Sequence, residues 1–366
     1  MQKILVRYAE IGLKGGNRPF FENRLITNIK IALKNPSLQI IKGQKQIMIS
    51  GENIDLDKLK NVFGIAWFAP VQESTNNLES ISKIALQMAV SKKTFSVRAH
   101  RHLEVAIGDV IRTKKKIKVD LSHPQQTIYI TEFNNQTLIF NQKIPGPGGL
   151  PVATSGKVLS LLSGGFDSIA ASYLLAKRGA QVDFLHFHVF PDSKTVLQSK
   201  IKTIVDKLSG LTLSQNIYLA SYLPFQMAVL DLTSRDEPQE LVVYRRLMAR
   251  VGEILAKKYG YQALVLGDSL GQVASQTMEN ICSVDEAVKI PIFRPLIGTD
   301  KKDIIALVKG IGLYEETIKP YKDCCSLIST HPAIKANFSR IQILEKKIKI
   351  DQIINQITTD VRIISL

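Results

Sequence analysis

Ser163-Gly164-Gly165-Phe166-Asp167-Ser168 follows a short apolar stretch, Val158–Leu162, and runs directly into Ile169–Lys177, whose apolar residues recur at helical spacing. A strand, a glycine pair and a helix start in that order make a loop whose backbone N–H groups can close around an anion. Ser163 and Ser168 add hydroxyl donors, and the helix N-terminus adds partial positive charge. Asp167 repels a phosphate, so its place in such a loop makes sense if it orders a Mg2+ that bridges to the phosphates. No Gly-Lys-Ser/Thr follows, which excludes a Walker A loop. A plain serine-glycine turn is the bland alternative, and the strand–loop–helix setting favours phosphate over it.

Working outward, the C-terminal side alternates strands and helices. Val182–Phe190, Ile217–Leu219, Ala263–Leu266 and Pro291–Arg294 read as strands. Helices are expected at Thr195–Leu208 (stopped by Gly210), Glu240–Tyr259 (stopped by Gly260), near Gly271–Ile281, and at Asp300–Lys309 (stopped by Gly310). Apolar strands alternating with helices predict a doubly wound parallel sheet. On the other side, Pro145-Gly146-Pro147-Gly148-Gly149-Leu150-Pro151 ends any regular element and reads as a hinge or linker. Before it, strands (Lys3–Ile11, Ser37–Ile49, Trp67–Val71, Thr94–Ala99, Val119–Asp120, Thr127–Glu132, Thr137–Phe140) interleave with helices at Pro19–Lys34, Asp55–Phe63, Leu78–Val90 and Val105–Arg112. That pattern predicts α+β units.

The chain has 366 residues, 45% of them hydrophobic and 22% charged, which excludes a disordered or collagen-like chain. The formal net charge is +16, and residues 1–150 carry 22 Lys and Arg against 11 Asp and Glu. A basic front half calls for a polyanionic partner, against the plain alternative of solvated lysines. No apolar run reaches the length of a membrane span, and Met1–Tyr8 lacks the apolar core of a signal peptide. Three cysteines, two of them adjacent, make no disulfide framework. A soluble cytoplasmic protein in a reducing compartment is the expectation.

The Ser163–Ser168 loop resembles the pyrophosphatase (PP) loop of enzymes that split ATP to AMP and pyrophosphate and place AMP on a carbonyl oxygen. Further stretches narrow the resemblance. Leu5-Val6-Arg7-Tyr8-Ala9-Glu10-Ile11-Gly12-Leu13-Lys14-Gly15-Gly16-Asn17-Arg18 is similar to the opening signature of the tRNA 4-thiouridine synthetase family, the tRNA sulfurtransferases of ThiI type. Gly146–Pro151, Gly267–Thr277, Arg294-Pro295-Leu296 with Asp300-Lys301, and Pro320–Cys325 with Ser329–Pro332 match its later signatures. Together these cover nearly the whole chain.

The resemblance implies an α/β fold: a PP-loop doubly wound parallel sheet (adenine nucleotide alpha hydrolase-like), preceded by α+β ferredoxin-like and THUMP domains. The expected divisions are 1–52 for the ferredoxin-like domain, 53–144 for a shortened RNA-binding THUMP domain, 145–156 for a linker and 157–366 for the PP-loop domain. The Ser/Leu-rich segment usual in the family is scant between Arg98 and Asp109. Many members carry a rhodanese-like domain beyond this point, and this chain ends about 40 residues after Cys325.

The activity implied is adenylation of O4 of uridine 8 in tRNA, followed by replacement of that oxygen with sulfur. Carried over position by position, ATP falls to Leu161, Leu162, Ser163, Gly164, Gly165, Asp167, Ser168, His186, Phe187, Arg245, Gly267 and Gln276. Asp167, Lys301 and Cys325 are the expected catalytic residues, with Mg2+ held through ATP by Asp167. Lys301 at a helix start is an odd place for a cation, and a ligand anion would explain it. Arg98, Arg101, Arg112, Lys114, Lys115 and Lys116 are the expected tRNA contacts. For His186 and Phe187, core packing is the bland alternative, as a small buried residue is for Cys282 and Cys324.

The partners implied are tRNA and a persulfide donor such as a cysteine desulfurase, with no membrane and a homodimer as candidate assembly. Thiamine thiazole synthesis is a secondary role in the family, tied to the rhodanese-like domain. Two rivals stand beside this reading: another PP-loop tRNA-modifying adenylating enzyme, and a non-catalytic RNA-binding protein with a relict nucleotide site. An iron–sulfur centre is disfavoured, because adjacent Cys324 and Cys325 lack the spacing of cluster ligands.

Overall fold

A computed structural model describes residues 1–230, 232–233, 236–324, 328 and 332–366. They fall into two compact units, Met1–Pro151 and Val152–Leu366.

The first unit holds two sheets. Strands β1 (Gln2–Tyr8), β2 (Gln39–Gly43), β3 (Gln46–Gly51), β4 (Ile65–Pro70) and, after the strands of the second sheet, β9 (Ile144–Pro145) form an antiparallel sheet in the order β2-β3-β1-β4-β9. Helix α1 (Arg18–Leu33) covers one face through Phe21, Leu25 and Ile29, spaced by four along the helix so that they fall on one side. The short helix α2 (Leu56–Leu59) starts where the sequence places it, with the Asp55 carboxylate accepting from the N–H groups of Asp57 and Lys58.

The second sheet runs β5-β8-β7-β6, from β5 (Gln72–Ser74), β6 (Phe95–Arg98), β7 (Gln126–Phe133) and β8 (Gln136–Phe140). Its apolar face is covered by α3 (Leu78–Met88) and α4 (Arg101–Lys115), with Ile81, Ile107, Ile111, Phe95 and Ile128 in that core. Its other face meets the first sheet through Leu5, Met48, Phe133, Leu138 and Phe140.

Three sequence expectations differ here. The strand at residues 65–70 pairs with β1, so the first sheet runs past residue 52. The proline-glycine stretch is fastened to the first unit: Ile144 and Pro145 pair with β4, and the Gly146 and Gly148 N–H groups donate to Ala66 and Ile65. Val119 makes only a single bridge, to Phe95, while α4 extends beyond both ends of the expected Val105–Arg112 helix.

The second unit is built on a six-stranded sheet. Strands β10 (Lys157–Leu161), β11 (Gln181–His188), β12 (Asn216–Ser221), β13 (Ala263–Val265) and β14 (Ile292–Phe293) are parallel. The order is β14-β13-β10-β11-β12, with β15 (Arg362–Ser365) antiparallel at the β12 edge. The chain leaves β10 towards β11 on one side and returns to β13 on the other, which opens a crevice at the carboxyl end of β10. Helices α5 (Phe166–Lys177), α6 (Lys200–Thr212), α7 (Leu223–Val229), α8 (Glu237–Tyr259), α9 (Met278–Glu286) and α10 (Lys301–Gly310) surround the sheet. Helix α6 continues through Gly210 and ends at Leu213, and α10 includes Gly310. A helical glycine costs only about 1 kcal/mol, which packing elsewhere on the helix readily offsets. No helix among the described residues is long and apolar enough to cross a membrane.

Candidate active site and nucleic-acid interface

The loop forms where the sequence places it, between β10 and α5, with Gly165 as the helix N-cap. Gly164 takes φ +81°, and a methyl group there would lie 2.4 Å from Cδ1 of Ile201. The serine hydroxyls shape the loop from within. Ser168 Oγ accepts from the Ser163 N–H at 3.2 Å and donates to the Gly165 carbonyl at 3.1 Å. Ser163 Oγ accepts from the Gly165 N–H at 3.3 Å. Gly267, just beyond β13, touches the loop from below: a methyl group there would lie 2.6 Å from the Asp167 carbonyl carbon and 2.8 Å from the Ser168 nitrogen. No residue with a side chain fits at this position while the loop stays in place.

Lys301 Nζ lies 2.7 and 2.8 Å from the two carboxylate oxygens of Asp167, across 134 residues of chain. The Gln272 amide donates to the same carboxylate at 3.2 Å. The anion that makes a lysine tenable at the start of α10 is therefore the protein's own carboxylate.

A cavity of about 250 Å3 opens beside the loop. Leu161, Leu162, Ser163, Asp167 and Ser168 line it from β10 and the loop; Phe187, Arg245, Gly267 and Gln276 line it from elsewhere. Gly164, Gly165 and His186, expected among the nucleotide contacts, are not in its lining.

His186 is buried, with Nδ1 2.7 Å from the Leu162 carbonyl and Nε2 2.8 Å from the Tyr321 hydroxyl. Burial lowers its pKa to about 4 against the help of the Leu162 carbonyl, so the ring is neutral near pH 7. Arg245 is buried too, and its guanidinium is engaged: Nη2 donates to Asp268 at 2.6 Å and Nη1 to the Ser275 carbonyl at 2.5 Å. Asp268 also receives Arg294 Nε at 2.9 Å, and Arg294 reaches Asp285 at 2.8 Å. Arg245 thus faces the cavity as part of a charge-balanced chain.

The lining also includes Asp268, Tyr244, Asp323 and Cys324, none expected there. Asp268 adjoins Gly267 within its signature, and Asp323 and Cys324 belong to another; both were legible as motif members, but what they face depends on tertiary structure. Cys324 is buried and Cys282 is exposed on α9. Cys325 lies outside the described residues. Among the described residues no group of three His, Cys, Asp or Glu side chains is placed to hold a metal ion.

The first unit carries a larger cavity, about 830 Å3, lined by Arg7, Trp67, Arg98, His100, Tyr129 and Lys143 among others. Lys143 Nζ sits 4.1 Å from the Tyr129 ring centroid and 4.8 Å from that of Trp67. Burial, and secondarily the nearby Arg7 charge, lowers the Lys143 pKa. Arg7 Nε is buried without a hydrogen-bond partner. Of the expected tRNA contacts, Arg98 lines this cavity and donates to the Leu121 carbonyl at 2.8 Å. Arg101 opens α4, whereas Arg112, Lys114 and Lys115 lie in its last turn and Lys116 caps it. At 1.5 Å per residue the start of the helix and its last turn are about 20 Å apart along the backbone. Arg112 also pairs with Asp109 at 3.0 Å. Arg7, Trp67 and Lys143 are far apart in sequence and come together only on folding.

A glycine loop and helix start at the switch point of a doubly wound sheet, with a lysine on the loop's carboxylate, defines a nucleotide-binding α/β protein of the non-Walker kind. The family model for thiamine biosynthesis protein (ThiI) matches residues 153–350, and the model for the ThiI ferredoxin-like domain matches residues 3–69. The chain belongs to the ThiI family. It is 34% identical to a protein of Acetivibrio thermocellus named "Probable tRNA sulfurtransferase", over 99% of this chain and 98% of that one. A protein of Moorella thermoacetica with the same name is also 34% identical, over 99% and 97%. A crystal structure of a 4-thiouridine synthetase in complex with RNA and with bound ATP matches over 100% of both chains, with TM-score 0.88 and 30% identity.

Proposed function

We propose that this chain is an ATP-dependent tRNA sulfurtransferase that converts a uridine of tRNA, position 8 by family resemblance, to 4-thiouridine. The observation that carries the reading is a shared cavity: the glycine loop with Asp167 borders one side, and Asp323-Cys324, next in sequence to Cys325, borders another. Activation and sulfur delivery can thus act on one bound uridine.

ATP lies in the loop cavity, its phosphates toward the loop N–H groups and the start of α5. Phe187 and Leu162 offer apolar surface to the adenine, and Gln276 a donor and acceptor edge. Lys301 neutralises charge at the departing pyrophosphate. Asp167 would hold a Mg2+ together with the phosphate oxygens, and the ion would supply further charge neutralisation. Transfer of AMP to O4 of the uridine releases pyrophosphate. The outer sulfur of a Cys325 persulfide, loaded by an external persulfide donor, then bonds to C4 as the C4–O bond breaks and AMP leaves. A second thiol attacks Cys325 Sγ, which frees 4-thiouridine and leaves a disulfide.

The tRNA lies on the first unit, where the Trp67, Tyr129 and Lys143 group suits an unstacked base and its phosphate. The domain division we propose is a ferredoxin-like domain at 1–70 completed by 144–151, a THUMP domain at 72–140, and the PP-loop domain from 152. The family is described as a thiamine biosynthesis protein, and a part in thiamine synthesis is a second role.

The test is mass spectrometry of nucleosides from tRNA incubated with the protein, ATP and a persulfide source. 4-Thiouridine that requires ATP is expected, and Cys325→Ser should abolish it while ATP–pyrophosphate exchange continues. Thiolation without ATP, or none with any donor, overturns the reading.

A further inference from the structure

We propose that Tyr321 and His186 are positioning residues that latch the cysteine-bearing segment to the base of the nucleotide loop. This rests on the sulfurtransferase reading and assigns work to a pair outside the cavity lining.

His186 stands at the carboxyl end of β11, beside β10, and touches two segments at once. The Leu162 carbonyl can only accept, so the Nδ1 contact of 2.7 Å fixes the proton on Nδ1. Nε2 is then an acceptor, and the Tyr321 hydroxyl donates to it at 2.8 Å. Leu162 immediately precedes Ser163 of the loop, and its own N–H donates to the Leu185 carbonyl at 2.8 Å. The bridge therefore runs from the first residue before the loop, through one imidazole, to Tyr321.

The Tyr321 ring is held from two sides, its centroid 5.6 Å from that of His186 and 5.8 Å from that of Phe190. A second anchor secures the same segment upstream: Lys200 Nζ donates to the Thr317 carbonyl at 2.7 Å, and a methyl group on Gly164 would lie 3.6 Å from Lys200 Cε. Both anchors thus join the loop's surroundings to residues 317–321. Asp323 and Cys324 reach the cavity wall two and three residues beyond Tyr321. Burial keeps both His186 and the Tyr321 phenol neutral near pH 7, so the bond does not titrate there.

Neither side chain lines the nucleotide cavity, so the expected effect falls on the sulfur step. Misplacing a reactive group by about 1 Å can cost roughly a hundredfold in rate. Tyr321→Phe removes only the hydroxyl. Three outcomes are expected in this variant: ATP–pyrophosphate exchange within about twofold of wild type, single-turnover thiolation from persulfide-loaded enzyme slowed about tenfold or more (dithiothreitol added only at the quench, to free the product), and equal rates for both proteins with inorganic sulfide. Hydrosulfide attacks C4 directly as AMP leaves, so it needs no cysteine.

Exchange that falls in step with thiolation, persulfide thiolation at the wild-type rate, or a variant still slow with sulfide would each overturn the proposal. Alkylation of Cys324 by iodoacetamide, read by peptide mass spectrometry in the full-length protein, tests the latch without thiolation. Tyr321→Phe should speed it about fivefold or more, as expected when a buried thiol becomes accessible, and an unchanged rate breaks the latch. Wild-type protein that forms no thionucleoside with any donor sinks the sulfurtransferase reading, whereas unchanged alkylation sinks only the latch.

Discussion

The two cavities handle charge in opposite ways. In the second unit, cations beside the nucleotide cavity have carboxylate partners: Lys301 on Asp167, Arg245 and Arg294 on Asp268. In the first unit, Lys143 lies over aromatic rings and Arg7 Nε has no hydrogen-bond partner. The paired site is preorganised, with its groups already oriented before a ligand arrives, which suits chemistry. The cationic site holds charge that a polyanion would neutralise, which suits binding. The same element, positive charge near a concave surface, thus serves two ends: Glu104 and Glu132 also line the larger cavity, and what distinguishes the two is that Lys143 rests on aromatic rings where Lys301 rests on a carboxylate.

The comparison can be broken by experiment. Asp167→Ala deletes the loop's carboxylate and leaves Lys301 without it. ATP–pyrophosphate exchange should fall about a thousandfold or more, while tRNA affinity stays within about twofold. Exchange near the wild-type rate would show that the pair is structural. Asp268→Ala leaves the buried Arg245 guanidinium without a carboxylate, while the half-buried Arg294 keeps Asp285, and should destabilise the second unit by about 3–5 kcal/mol in urea unfolding. Asp268→Asn, which keeps one acceptor, should cost less. A loss under about 1 kcal/mol for the alanine variant would mean that solvent already balances those charges.

The pH dependence sharpens the contrast. The folded pKa of His186, about 4, lies below the ordinary 6.5, so the unfolded chain binds the proton first as pH falls. The stability it contributes is present above pH 6.5 and is lost between about 6.5 and 4, on the order of 3 kcal/mol. Urea midpoints of the wild type should drop across that window, and His186→Gln should remove this component of the drop. The smallest effect belongs to the binding cavity. Lys143→Ala should weaken tRNA binding by about 1 kcal/mol and reduce the slope of log K against log salt by about 1. An unchanged slope would place the RNA elsewhere on the unit.

The sequence was most informative where function depends on neighbours along the chain. The nucleotide loop is six consecutive residues between a strand and a helix, so its glycines and its position were readable directly. The alternation of strands and helices likewise announced the doubly wound sheet. The partnerships were not readable: Lys301 and Asp167 are 134 residues apart, and Arg246 meets Glu345 at 2.7 Å across 99. His186 is an expected nucleotide contact by resemblance alone, and the sequence gives no sign that its ring meets the Leu162 carbonyl. Which way a strand-end side chain turns is decided by what packs beside it. The extent of the first sheet was hidden for the same reason, since β4 and β9 join it by pairing across the chain.

Gly267 supports the loop by absence of volume, and a second glycine stands behind it. A methyl group on Gly252 of α8 would lie 3.1 Å from Leu264 of β13, three residues before Gly267. Helix, strand and loop are therefore stacked with almost no clearance, like shims in a clamp. A displacement of α8 toward the sheet bears on Leu264 of β13, the strand that leads to Gly267 against the backbone of Asp167. Substitutions on the far side of that helix, remote from every ligand, should register as changes in catalytic geometry before they register as losses of fold.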